Sequence, residues 1–253
     1  MFDAKKETQR IIDFIKDYFS ANNLKGVVLG ISGGKDSAVV SALFATALGA
    51  ENVIGVTLPC HSKEDDRTDA RAVADAYGYE LIDLDLTEVF DSFIKEAGKL
   101  DVDPNIVADP YTDASINLKP RLRMASVYYL AALYSKIRGG TYIVAGTSNK
   151  CELYVGYFTK GGDSTYDIGV LTDLTVEEVI KVGEVLGVPK QVLYKAPSDG
   201  ISAKSDEEKM GVTYDNITKV IEGTLNQGEE YEKIQKLHAR SSHKFHTPRY
   251  IKQ

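Results

Sequence analysis

The chain has 253 residues, 37 acidic and 30 basic, for a formal charge of -7: long enough for the core of one α/β domain and too acidic overall for a generally basic nucleic-acid binder. Its two cysteines, Cys60 and Cys151, with no CxxC pair, argue against a disulfide scaffold or a cysteine zinc site and suit a reducing compartment. The opening MFDAKKETQRIIDFIKDYF lacks a cationic stretch before an unbroken apolar core, and no run elsewhere would cross a bilayer, so a cytoplasmic protein with no membrane partner is expected.

Ile11, Phe14, Ile15, Tyr18 and Phe19 recur at helical spacing and predict an N-terminal amphipathic helix. GVVLGI (Gly26 to Ile31) then reads as a short buried strand, and Ser37 to Leu48 as a helix. NVIGVTL (Asn52 to Leu58) is a second strand, Asp65 to Tyr77 a helix and ELIDLDL (Glu80 to Leu86) a third strand. Helices over Thr87 to Ala97 and Lys119 to Ile137 lead to TYIVAG (Thr141 to Gly146), a fourth strand. This repeated alternation predicts an α/β fold of the doubly wound, Rossmann-like kind, with a mostly parallel sheet flanked by helices and right-handed crossovers.

After Gly146 the pattern weakens. Val176 to Leu186 and Tyr231 to Leu237 keep a helical period, whereas Gly156 to Asp167 and Ala196 to Lys209 are polar, glycine-containing and aperiodic, as lids over a sheet edge are. With no internal repeat and no low-complexity linker, residues 1–253 are expected to form a single domain with a helical C-terminal extension.

The most informative stretch joins the first strand to its helix: ISGGKDS, from Ile31 to Ser37. Glycines let backbone amides approach an anion, the helix N-terminus adds partial positive charge, and Ser32 and Ser37 offer hydroxyls, a combination suited to phosphate. Asp36 would repel that guest unless a cation such as Mg²⁺ lay between them. The spacing is not GxxxxGK[ST], so the common kinase or GTPase loop is excluded. A plain capped turn would explain two glycines alone, but not the full string after a buried strand.

GISGGKDS (Gly30 to Ser37) resembles the SGGxDS loop of the ATP pyrophosphatases, which split ATP between its α and β phosphates. NLKPRLRM (Asn117 to Met124), GTSNKCELYVGYFTKGGD (Gly146 to Asp163), KAPS (Lys195 to Ser198), GVTYDNI (Gly211 to Ile217) and the pair His243 and Lys244 resemble, in order and spacing, the NAD synthetases of that superfamily, whose fold is adenine nucleotide alpha hydrolase-like. The resemblance spans nearly the whole chain. It implies ATP-dependent amidation of nicotinic acid adenine dinucleotide (deamido-NAD) through an acyl adenylate, releasing AMP and pyrophosphate. It also implies a homodimer.

By that resemblance Gly30, Ile31, Ser32, Gly33, Gly34, Lys35, Asp36, Ser37, Thr147 and Ser198 would contact ATP. Asp36 and Glu152 would hold Mg²⁺, with Asp163 near a second ion. Arg121, Lys160, Asp167, His243 and Lys244 would bind the dinucleotide, Lys160 also stabilising charge that builds up during the reaction. Asp36 and Lys160 are the expected catalytic residues. Outside the motif, Glu152 and Lys160 read as solvated charges, and Arg123 as an ordinary charge on a helix surface.

Three positions depart from the family pattern. The lysine expected nine residues after Asp167 is Val176, so Lys195 is a candidate replacement; Ser198 stands where threonine is common; and Asn149 replaces a histidine of common bacterial versions. Relatives that use glutamine carry a nitrilase-type amidase domain for which this chain is too short, so free ammonia is the expected nucleophile. Cys60 beside His61 is not expected to make a catalytic pair, since neighbours in extended chain point apart. A different ATP pyrophosphatase, such as a GMP synthetase module, would share the loop but not the later segments, a sulfur-transfer enzyme acting on tRNA would need a basic surface, and a non-catalytic nucleotide-binding protein would leave Asp36 and Glu152 idle.

Overall fold

Short apolar runs such as GVVLG and VIGVT are too brief for stable helices and rich in β-branched residues, so they pair as strands, and the amphipathic segments between them must cover both faces. The computed structural model describes residues 2–62, 64–195, 205–246 and 250. In chain order the elements are α1 (Ala4–Ala21), β1 (Leu24–Gly30), α2 (Lys35–Leu48), β2 (Val53–Thr57), α3 (Glu64–Tyr77), β3 (Glu80–Asp83), α4 (Thr87–Ala97), α5 (Pro104–Ala108), α6 (Asp113–Arg138), β4 (Thr141–Gly146), α7 (Lys150–Val155) and β5 (Ile168–Gly169). There follow α8 (Val176–Leu186), α9 (Lys190–Leu193), α10 (Asp206–Met210), α11 (Tyr214–Ile221) and α12 (Glu229–Ser241).

The strands form one sheet in the order β3-β2-β1-β4-β5, every pair parallel, with Val27 opposite Val53 and Val28 opposite Val144. Chain order runs outward from β1 in one direction to β3 and then resumes on the other side of β1 with β4. Between β1 and β4 the crossovers diverge, and a crevice opens beyond the carboxyl ends of the strands.

Alternation along β1 divides the core. Val27 and Leu29 pack against Ile15 and Phe19 of α1, Leu43 and Phe44 of α2, and Val179 and Val182 of α8. Val28 points the other way, with Ile54, Val56 and Val144, into Phe90 of α4 and Val127 and Leu130 of α6. A third cluster, Cys151, Val155, Tyr214, Ile217 and Ile234, joins α7 to α11 and α12 and makes the helical C-terminal extension.

Several boundaries differ from expectation for identifiable reasons. In α1 the buried stripe includes Ile12, while Phe14 and Tyr18 are exposed and stack on each other, so the stripe serves the chain's own core. Helix α6 begins six residues before Lys119 because Thr112 accepts the Ser115 N–H at 3.2 Å, so Pro120 sits inside it. The polar segment before Met210 contains α10, capped by Ser205 and Glu208 in reciprocal bonds.

Gly26 tests how tightly the sheet is closed. A Cβ there would overlap both the Asn52 carbonyl oxygen and the Tyr142 ring, and the backbone oxygen cannot rotate away. Gly26→Ala is therefore expected to lower unfolding free energy by about 2 kcal/mol in urea melts. Wild-type stability would show that β1 and its neighbours pack less closely than described.

Candidate active site

The loop that closes β1 is shaped by its own hydroxyls. The Ile31 N–H is spent on the Val56 carbonyl at 2.8 Å, so the ATP contact expected there is restricted to its other atoms and the anion-facing turn starts at Ser32. Gly33 has φ 75°, and a side chain would meet the Asp66 carbonyl oxygen at 2.5 Å, so both conformation and space demand glycine. The Ser37 hydroxyl donates to the Gly34 carbonyl at 3.1 Å, accepts the Ser32 N–H at 3.2 Å and lies 3.1 Å from the Ser32 hydroxyl. These bonds brace the turn. The amides of Lys35, Asp36 and Ser37, first in α2, have no intrahelical acceptor, and Gly34 is a cap that supplies no side chain, which suits them to an anion.

Asp36 and Glu152 arrive from different strand ends, β1 and β4, and Asn149 holds them in register. Asn149, fully buried, caps α7: its side-chain oxygen accepts the Glu152 N–H at 3.0 Å and its own N–H donates to the Glu152 carboxylate at 3.2 Å. Its amide nitrogen donates to Asp36 Oδ1 at 3.2 Å. Lys35 Nζ lies 2.9 Å from Asp36 Oδ2. Burial, with the charge of Asp36 second, pushes the Glu152 carboxyl well above the usual range, against the opposing pull of Lys35. Two oxygen-donor side chains, one with a disfavoured charge, suit a hard divalent cation.

Asp163, the residue expected near a second ion, lines the same cleft, and its charge adds to the rise of the Glu152 carboxyl. Its Oδ1 accepts the Thr159 N–H at 2.7 Å, and among the described residues no three His, Cys, Asp or Glu side chains converge as a ready metal cluster. Gly30 to Ser37, Thr147, Glu152, Asp163 and Lys244 all line a cleft of about 570 Å³ at the β1–β4 switch point. Lys244 Nζ donates to the Gly156 and Phe158 carbonyls, both at 2.6 Å, over the Phe158 ring.

Arg121, Lys160 and His243 form a separate chain at the rim. Arg121 donates to the Lys160 carbonyl at 3.3 Å, and Lys160 Nζ to the His243 carbonyl at 2.7 Å, so the Lys160 ammonium is engaged outside the cleft wall. Asp167 is elsewhere: its carboxylate accepts the Val144 N–H at 2.8 Å and the Tyr128 hydroxyl at 3.0 Å, tying the start of β5 to β4. Ser198, and residues 196–204 of the expected lid, lie outside the described residues.

Some cleft residues were assigned no role from sequence. Arg123 is half-buried in the cleft wall and donates to the Leu58 carbonyl at 3.0 Å, which corrects its reading as a surface charge. Residues two apart on a helix point about 200° apart, so Arg121 and Arg123 cannot both face inward. Asp206, buried beside the cleft, accepts the Tyr157 hydroxyl at 3.0 Å. Val176 is packed at the third apolar cluster, while Lys195 does line the cleft, held by Asp66 at 2.9 Å and Asp69 at 2.6 Å. Cys60 is buried in the second cluster, its thiol pushed up by burial, and His61, at φ 56°, turns to Asp91 Oδ1 at 2.8 Å. They form no catalytic pair. The backbone between them is not extended as expected, but the side chains still diverge.

A family model described as NAD synthase matches residues 7–249. The chain belongs to the NAD synthase family. It is 39% identical to the NH(3)-dependent NAD(+) synthetase of Archaeoglobus fulgidus over 254 aligned positions, covering 96% of this chain and 95% of that one. It is also 39% identical to the protein of the same description from Methanococcoides burtonii, over 88% of this chain and 81% of that one. Among solved structures, NMN synthetase from Francisella tularensis is similar with a TM-score of 0.87 and 31% identity, covering 99% of each chain.

The raised Glu152 carboxyl predicts a pH signature. Because its pKa is higher folded than unfolded, ionisation of Glu152 subtracts stability as pH rises from the ordinary glutamate range through the raised value; below that range it costs nothing. In EDTA, Glu152→Gln keeps the acceptor for the Asn149 N–H and is expected to melt at least about 3 °C above wild type near pH 8, converging on it near pH 4. A variant that melts below wild type near pH 8 would contradict a strained carboxylate.

Proposed function

We propose that this chain joins ammonia to the nicotinate carboxylate of deamido-NAD at the expense of ATP, forming NAD, AMP and pyrophosphate. The observation that carries this reading is the phosphate loop after β1, which includes Asp36, facing Glu152 of the β4 side across the switch point, in a chain of the NAD synthase family. A carboxylate is a poor acylating group because its leaving group would be oxide. Attack of a carboxylate oxygen on the α phosphorus expels pyrophosphate and leaves AMP as a good leaving group. Ammonia then adds to the acyl carbon, loses a proton, and the C–O bond to AMP breaks.

The first-turn amides of α2 and the braced Ser32 to Ser37 turn are suited to hold the departing pyrophosphate in place. Asp36 and Glu152 would hold Mg²⁺, which neutralises phosphate charge when bound. Arg123 and Lys244 add positive charge to the cleft wall, and Thr147 lines it. Arg121, Lys160 and His243 at the rim would meet the part of a dinucleotide that extends beyond the cleft; Lys160 would exchange the His243 carbonyl for substrate to act on developing charge. Asp167 can contribute by ordering β5, and by touching substrate only at its exposed edge.

We further propose a homodimer and a cytoplasmic enzyme of one domain. Val89 and Phe93 of α4, at helical spacing, and Tyr129, Leu133 and Ile137 of α6, at the same spacing, are exposed and apolar. A second copy covering them would bury the apolar surface that water now meets. Among the described residues no helix is long and apolar enough to cross a membrane.

A second reading has one observation behind it: the Francisella tularensis structure, at TM-score 0.87, is described as NMN synthetase. The cleft would then receive a mononucleotide, and the rim residues would matter less. Purified protein with ATP, Mg²⁺ and an ammonium salt should give NAD, AMP and pyrophosphate in equal amounts from deamido-NAD, with higher kcat/KM than on nicotinic acid mononucleotide. Asp36→Asn is expected to cut turnover at least about 100-fold with the fold intact. Release of ADP would overturn the reaction proposed; preference for the mononucleotide would favour the second reading.

A further inference from the structure

We infer that Lys35 is a built-in counter-ion that keeps Asp36 closed to a free divalent cation, so that metal and triphosphate must enter the cleft together. This rests on the reading of Asp36 and Glu152 as cation ligands and adds to it a rule for when they bind. Lys35 occupies the variable position of the SGGxDS pattern, so its charge is a property of this chain rather than a demand of the loop. Its side chain is only 6% exposed, and its ammonium lies 2.9 Å from Asp36 Oδ2. The other Asp36 oxygen already accepts from Asn149 Nδ2 at 3.2 Å. Both oxygens are therefore engaged.

The ammonium is confined where it lies. It sits 5.7 Å from the centroid of the Tyr214 ring, on α11, and the charges of Glu152 and Asp206 also act on it. A divalent ion approaching Asp36 alone has to break the 2.9 Å ion pair and remain beside a nearby positive charge, with both side chains largely withdrawn from solvent. A triphosphate at the first-turn amides of α2 changes that balance, because its negative charge gives Lys35 another partner and offsets its repulsion of the ion. By linkage, whatever Lys35 takes from metal affinity without nucleotide reappears as coupling between metal and ATP.

The test is Mn²⁺ binding to nucleotide-free protein, followed by the loss of the free-ion paramagnetic signal. Lys35→Met is expected to bind Mn²⁺ about tenfold or more tightly than wild type, Lys35→Arg to match wild type, and Lys35→Met with Asp36→Asn to return to weak binding. Circular dichroism and melting check the fold, and Lys35→Gln reads the same way if the methionine variant does not fold. Folded Lys35→Met and wild type binding Mn²⁺ equally, whether tightly or weakly, would overturn the counter-ion while leaving the ligand pair standing. Tight binding that survives Asp36→Asn would overturn the ligand pair itself.

Discussion

Asp36 and Glu152 are brought together from two strand ends, and like charges in a cleft that burial has partly dried repel one another. The surroundings of the site answer that repulsion. Lys35 sets an ammonium against one carboxylate; Asn149 bonds to both acids and caps α7 in the same act. Neither partner removes the strain in Glu152, whose carboxyl stays well above its ordinary range. A site that keeps acids under strain is suited to a bound cation, and a cation is what a triphosphate requires before a weak nucleophile can approach its α phosphorus.

The topology explains why these residues can meet at all. In a sheet ordered β3-β2-β1-β4-β5, only β1 and β4 are adjacent strands whose crossovers leave in opposite directions, and the phosphate loop and the Asn149 cap each follow one of them. Gly33 lets the first loop pass against the Asp66 carbonyl, and Lys195 clasps Asp66 and Asp69, so α3 closes the cleft from the β2 side. The C-terminal helices close the other side through Tyr214, above Lys35, and Asp206, bonded to Tyr157.

What the sequence made legible follows from how strongly each feature constrains its neighbours. Buried parallel strands are short apolar runs, so β1, β2 and β4 stood out, and the half-exposed β3 was legible as the segment between two helical patterns; the loops after β1 and β4 stood out as well, and with them Asp36 and Glu152. The fifth, Ile168–Gly169, is two residues long and is held by the Asp167 side chain, leaving no periodicity to detect. The bonds of Asp167 to Val144 and Tyr128 join residues far apart in sequence, so its part in ordering the sheet edge had no local signal. Arg121 and Arg123 could not be ranked from spacing alone, because the helix phase depends on which side of α6 meets the sheet. Asn149 resembled a tolerated replacement, yet it links the two acids through bonds that only the folded strand ends create.

The most direct measurement follows the oxygen of the activated carboxylate. Deamido-NAD labelled with ¹⁸O in its carboxylate, turned over by this chain with unlabelled ATP and ammonium, should deliver one ¹⁸O atom to the phosphate of AMP and none to pyrophosphate. That outcome requires attack at the α phosphorus with pyrophosphate departing along the α2 loop. Label in inorganic phosphate or in pyrophosphate would mean that a different phosphorus is attacked, and would contradict the account of the cleft.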